Sequence, residues 1–165
     1  TLVLFGGDRP RSIALLRHRL AGALRAAGAQ PERQLLFLPL VQRSRFLSIC
    51  AACDVMVDTP HWSGGNTTID ALLCGLPVVT VPGALMRGRQ SMAMLRMLGL
   101  DELVQPDAAA LAATAIAGAA DGDRRADLAR RIAAGLPELF DGQQALAGLQ
   151  DHFRSLLAEA GADPA

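Results

Sequence analysis

The sequence lacks most of the features that announce a function at once. It contains no run of about 18 or more apolar residues, so no segment has the usual length for crossing a bilayer. Neither sign of charge is in excess, with 16 basic and 16 acidic side chains. A balanced chain lacks the basic footprint that nucleic-acid binding leaves. Cysteine is scarce: Cys50, Cys53 and Cys74 are the only three. An odd number without regular spacing argues against a disulfide framework and points to a reducing compartment, the cytoplasm. "CAAC" at 50–53 invites a redox reading, but a redox pair opens a helix after a strand. Here it ends an apolar helical stretch and precedes a strand, so the expectation is buried or partly buried thiols. The histidines (His18, His61, His152) are scattered, no group has metal-ligand spacing, and no bound metal is expected. A start Met and a signal-peptide layout are also missing. "TLVLFGGDRP" reads as a cut into a strand, and the chain is expected to be a fragment of a longer protein.

What is present is apolar and periodic. The chain has 165 residues, 51% of them hydrophobic, enough for one domain with a real core. Short apolar runs alternate with helical patterns. Strands are expected at 2–5, 34–39, 55–57, 77–81 and 102–104. Helices are expected at 12–28, at 44–53 with Ser44 as N-cap, at 66–74 with Gly75 as C-cap, and at 88–99. Three more follow, in "DAAALAATAIAGAA", "DRRADLARRIAAG" and "GQQALAGLQDHFRSLLAEA". Strands apolar throughout must be covered on both faces. The alternation therefore predicts a three-layer, Rossmann-like α/β domain over 1–140 with a parallel sheet, followed by a C-terminal helix and tail over 141–165.

In open α/β sheets ligands bind outside the carboxyl ends of the strands. The chemically interesting residues fall there. Gly64, Gly65, Asn66, Thr67 and Thr68 follow the third strand and open a helix. A helix start offers free N–H groups and a positive dipole end, and glycine lets an anion approach closely. The same residues also make an ordinary N-cap. The stretch is neither a Walker A loop nor G-x-G-x-x-G, because it lacks the Lys and the spacing. Asp70 lies four residues after Asn66, and its side chain leans toward the helix start. It suits a sugar diol, or merely a helix turn. Arg87 and Arg89 leave the next strand, where cations are disfavoured at a helix start unless an anion is near. Arg43 follows the second strand and flanks a base or is a surface Arg. Trp62 and His61 line a sugar or acceptor site, or Trp62 packs under its loop.

The block "DVMVDTPHWSGGNTTIDALLCGLPVVTVPGALMRGRQSMAMLRMLGLDELV" (54–104), with "FLPL" and Arg43 upstream, resembles the C-terminal part of the O-linked N-acetylglucosamine transferase/SPINDLY family. The similarity covers about 1–105 well and the helical tail loosely. It implies the C-terminal, donor-binding half of a GT-B glycosyltransferase, metal-independent and inverting, acting on protein Ser or Thr. By position, Asn66 and Thr67 would meet the diphosphate of a UDP-sugar, with Gly64, Gly65 and Thr68 beside them. Asp70 would meet ribose, and the Val41 backbone and Arg43 the uracil. Arg89 and the helix start would stabilise the leaving diphosphate. No cofactor is implied. The partners implied are an acceptor protein, the missing N-terminal domain and the TPR repeats that the family usually carries.

Departures from the animal enzymes resemble those of bacterial relatives. Gly65 and Phe46 each stand where a His is usual, Asn66 replaces a Thr, and Arg43 replaces a Lys. Plant SPINDLY proteins use a fucosyl donor, so the family does not fix the sugar. No general base is visible, and the isolated chain is expected to lack transferase activity. Two alternatives stay open: a non-catalytic regulatory or scaffolding module that keeps the fold, and another GT-B or epimerase-like enzyme with a similar loop.

Overall fold

The computed structural model describes residues 1–161. It divides into two compact units, 1–46 and 47–165, and all statements below on the second unit concern its described part.

In the first unit, β1 (Leu2–Phe5) leads through a Gly-Gly turn to α1 (Pro10–Ala26). Pro10 starts α1 where a missing N–H costs nothing. A short α2 (Pro31–Gln34), which the apolar pattern does not signal, precedes β2 (Leu35–Leu38). β1 and β2 pair in parallel, with Leu2 opposite Leu35 and Phe5 opposite Leu38. The ladder continues through the Gly6 N–H, which donates to the Leu38 carbonyl at 2.7 Å. Phe5 meets Phe46 edge to face at 5.2 Å, a favoured aromatic geometry. α3 (Arg43–Ala51) begins in this unit and ends in the second. It starts one residue before the expected cap, so Ser44 lies inside the first turn. The Phe46 N–H bonds back to the Gln42 carbonyl, which places the true cap at Gln42.

The second unit holds the dense core. β3 (Met56–Val57) and β4 (Val78–Val79) pair in parallel, and Thr80 forms a parallel bridge to Val104. The expected strand at 102–104 is therefore a single bridging residue after a 3₁₀ turn, Asp101–Leu103. α4 (Asn66–Leu73) joins β3 to β4 and ends at Gly75, whose φ of 70° supplies the left-handed cap. α5 (Gln90–Met97) follows a 3₁₀ turn at Met86–Gly88. α6 (Ala108–Ala120) and α7 (Gly122–Phe140) are capped by the carboxylates of Asp107 and Asp121, which accept from Ala110 N and Arg124 N. α7 runs beyond Gly135, where the sequence suggests a stop, because that glycine packs directly against Leu98. α8 (Gln143–Glu159) is the last helix of the described residues.

Val78, Val79, Leu72, Leu95, Leu100 and Ile132 are completely buried. Each such side chain contributes about 1.5–3 kcal/mol by leaving water. The result is a helix-rich α/β structure in which, among the described residues, each unit holds a two-stranded parallel sheet. No helix among the described residues is long and apolar enough to cross a membrane.

Candidate functional site

The polar centre of the second unit lies where β3 and β4 end. Asp58 directly follows β3, and its N–H extends the ladder by donating to the Val79 carbonyl at 2.9 Å. Its carboxylate is 3% exposed and accepts four hydrogen bonds. Oδ1 takes the N–H groups of Thr59 (3.0 Å) and Gly64 (2.8 Å). Oδ2 takes the hydroxyls of Ser63 and Thr80, each at 2.7 Å. All four partners are neutral. A buried carboxylate without a cation is costly, and short charge-assisted bonds to oriented donors offset that cost.

A chain of hydroxyls leads away from this carboxylate. Ser63 Oγ lies 2.9 Å from Ser91 Oγ and accepts from Ser91 N at 2.9 Å. Ser91 Oγ in turn lies 2.8 Å from Thr68 Oγ1. Each hydroxyl has one proton, and a carboxylate can only accept. Ser63 therefore spends its proton on Asp58, Ser91 has the Gly64 carbonyl as an acceptor (3.3 Å), and either hydroxyl donates in the bond between Thr68 and Ser91. Thr68 and Ser91 are completely buried. Ser91 is the second residue of α5 and Thr68 the third of α4, so the N-terminal ends of two helices meet at one hydroxyl cluster.

The start of α4 faces the other way. Its N-cap is Gly65, which brings no side-chain acceptor to the first turn. Asn66 and Thr67 are exposed there, while Asp70 retains 8% of its surface. Glycine at 64 is required by crowding. A Cβ would fall 2.7 Å from Thr67 Oγ1 and 2.5 Å from Thr68 Oγ1.

The two loops at the strand exits are fastened to each other. Ser63 N donates to the Arg87 carbonyl at 2.7 Å, and Thr59 Oγ1 to the Trp62 carbonyl at 2.7 Å. His61 adopts a φ of 70°, a conformation uncommon outside glycine. The Arg87 guanidinium lies 5.9 Å from the centre of the exposed Trp62 ring, a cation–π contact. Arg89, the N-cap of α5, is exposed and donates to the Ala84 carbonyl of its own loop.

The structure thus brings Gly64, Gly65, Asn66, Thr67, Thr68 and Asp70 to one helix start, with Arg89 on the loop fastened beside it. It gives them unequal parts. Asn66 and Thr67 face outward, whereas the Thr68 hydroxyl and the Gly64 N–H are spent on the interior. Val41 and Arg43 belong to the first unit. Val41 is half-buried in the turn after β2, and Arg43 is exposed at the first position of α3. Asp58, Ser63, Thr80 and Ser91 are absent from the candidates read from sequence. The available signal was weak: one Asx-turn residue after β3, and single hydroxyls within the apolar stretches "PVVTV" and "QSMAML". Elsewhere in this unit the three thiols are free, Cys50 buried and the other two partly so. They line a cavity of about 230 Å³ together with Asp54 and Arg125, which pair at 3.4 Å. Among the described residues no group of three or more His, Cys, Asp or Glu is arranged to hold a metal.

This is a parallel α/β domain with a buried polar anchor and an open helix start at its strand exits. Comparison with known proteins makes the class specific. The family described as glycosyl transferase family 41 matches residues 15–146, and the chain belongs to that family. It is 26% identical over 151 residues to the probable UDP-N-acetylglucosamine–peptide N-acetylglucosaminyltransferase SPINDLY of Petunia hybrida, covering 90% of this chain and 16% of that relative. It is 28% identical over 126 residues to the UDP-N-acetylglucosamine–peptide N-acetylglucosaminyltransferase of Caenorhabditis elegans, covering 75% and 11% respectively. Among solved structures it is similar to a mutant of the Thermobaculum terrenum O-GlcNAc transferase, a GT-B enzyme. The TM-score there is 0.78 at 31% identity, over 96% of this chain and 30% of that one. The chain therefore spans less than a third of each of these proteins.

Proposed function

We propose that this chain is the donor-binding domain of an inverting glycosyltransferase, one that moves a sugar from a UDP-linked donor to a Ser or Thr hydroxyl of a protein. The observation that carries the reading is the start of α4: a glycine N-cap with no side-chain acceptor, and Asn66 and Thr67 exposed on the first turn. A helix start left open in this way binds anions. Membership of glycosyl transferase family 41 supports reading the anion as a nucleotide diphosphate. The relatives' names supply UDP-N-acetylglucosamine as the first donor to test.

In this reading the chain positions the donor and neutralises charge that develops on the leaving diphosphate. Asn66, Thr67 and their N–H groups take the phosphate oxygens, with Gly64 and Gly65 allowing close approach. Asp70 accepts the ribose hydroxyls, and the Val41 backbone and Arg43 serve the uracil. The Arg89 guanidinium uses one donor on Ala84 and keeps others for the departing phosphate. The acceptor's proton is handled outside this chain, so the chain alone turns over no sugar.

Alanine at Asn66 or Thr67 tests this directly. Both residues are exposed, so each substitution should weaken UDP binding about tenfold, the cost of one charge-assisted bond, while leaving the melting temperature unchanged. Unchanged affinity in both variants would favour a domain that kept the fold without the site.

A further inference from the structure

Among the described residues, Asp58 is the one buried carboxylate that the proposed chemistry does not use. It would be a poor phosphate ligand, since its own charge repels the anion. Yet it lies within the loop that leads to α4, and two of its donors, Ser63 and Gly64, immediately precede the α4 start. Oδ1 holds Gly64 N, one residue ahead of the α4 cap. Oδ2 holds Ser63 Oγ, which in turn accepts from Ser91 N in the first turn of α5. Oδ2 also holds Thr80, at the end of β4. A carboxylate without a cation is thus held by N–H and O–H groups of its own loop and of the end of β4, and it reaches the first turn of α5 through Ser63. The positive ends of α4 and α5 supply its countercharge.

Burial gives this arrangement a direction. Ser63 spends its proton on Asp58, and the completely buried Ser91 and Thr68 hydroxyls are bonded to each other. Thr68, although it sits in the first turn of α4, has its hydroxyl completely buried against Ser91 and does not offer it to a ligand. Gly64 N is consumed in the same way. The outward donors are then reduced to Asn66, Thr67 and their backbone.

Resting on the nucleotide reading above, we propose that Asp58 is the positioning residue of the donor site. Through Ser63 it clamps the starts of α4 and α5 together and selects which donors of the 64–68 loop face the diphosphate.

Amide hydrogen exchange on the whole chain, in Asp58→Ala and Ser63→Ala, tests the clamp without needing a ligand. The Ile132 amide on α7 serves as the internal measure of general stability. Ser63→Ala should cost the Ser91 amide at least about tenfold in protection relative to Ile132, because it removes that amide's acceptor. The Gly64 amide should keep its protection, because Asp58 still accepts from it. Asp58→Ala should expose both amides. If protection at Gly64 and Ser91 falls only in step with Ile132, the clamp is overturned. If Asp58→Ala does not fold, the one-amide pattern of Ser63→Ala decides alone. UDP titration of the same proteins reads the consequence: affinity about tenfold weaker in the variants supports positioning, and unchanged affinity overturns it. A wild-type chain that fails to bind UDP counts against the nucleotide reading, and the exchange pattern still judges the clamp.

Discussion

Gly83 and Gly88 close the second exit loop by direct backbone contact. The Gly83 N–H donates to the Gly88 carbonyl at 2.6 Å. A Cβ on Gly88 would lie 3.1 Å from the Gly83 Cα and 3.4 Å from the His61 carbonyl oxygen. These are backbone atoms and cannot swing aside. Gly88→Ala should therefore push the Met86–Gly88 turn away from the 58–65 loop, at a cost of about 1–3 kcal/mol. Trp62 is the sole tryptophan and the chain has no tyrosine, so intrinsic fluorescence reports on this loop alone. As Arg87 leaves the ring, the emission of the folded variant should shift, and the urea midpoint should fall. An unchanged spectrum and midpoint would mean the contact is not required.

Gly64→Ala should be harmful for a different reason. The new methyl would displace the hydroxyls of Thr67 and Thr68, and Thr68 is locked in place by Ser91. Thr67, the exposed one, has to move. The expected result is UDP affinity weakened at least about tenfold with about 1–3 kcal/mol of lost stability. Calorimetry and chemical unfolding measure the two separately.

The thiol at Cys50 should be chemically quiet. Burial, followed by the neighbouring thiols of Cys74 and Cys53, pushes it up to about 11, and burial and Asp54 also raise Cys53. The thiolate is the reactive form. In native protein at pH 8, an alkylating reagent should modify Cys50 far more slowly than in denatured protein, and the rate should keep climbing toward pH 11. Rapid modification of Cys50 at pH 8, followed by peptide mass spectrometry, would contradict this.

Glu102 ties the 3₁₀ turn before Val104 to α7 through Arg131, which also donates to the Gly99 carbonyl at 2.8 Å. Burial raises the Glu102 carboxyl, and hydrogen bonds from Arg131 and the backbone more than reverse this, leaving it below its usual 4.5. A carboxyl lowered by folding contributes stability that is complete above the unfolded value and is lost as pH falls through the folded one. Both side chains are about two-fifths exposed, which limits the pair to about 1 kcal/mol or less. The stability gap between the wild type and Glu102→Gln should therefore be full at pH 7 and shrink as pH falls below 4.5 through the folded value in urea unfolding curves. A gap that stays constant on acidification would rule out the ion pair as its source.

Much of this architecture is legible in the sequence, because apolar runs and glycine or proline breaks mark both period and ends. β1, β2, α4 and the three closing helices follow that pattern. The misses are local. α2 has too few residues for a period, and Val104 pairs through one bridge, so "ELV" forms a turn where a strand is expected. The open helix start at 64–68 is legible because its residues are consecutive. The anchor beneath it is not, because Asp58, Ser63, Thr80 and Ser91 are single polar residues on different elements. Only folding links them, with Ser63 and Thr80 each 2.7 Å from Asp58 and Ser91 2.9 Å from Ser63. Sequence proximity also overstates Thr68, whose hydroxyl the structure turns inward.

The most direct test of the central claim is a calorimetric titration of the chain with UDP, with GDP as control and Trp62 emission followed in parallel. A donor-nucleotide domain should bind UDP in preference to GDP and bind it about tenfold more weakly in Thr67→Ala while remaining folded. Equal affinity for the two nucleotides, or UDP binding that survives Thr67→Ala and Asn66→Ala together, would contradict the assignment of the α4 start as the diphosphate site.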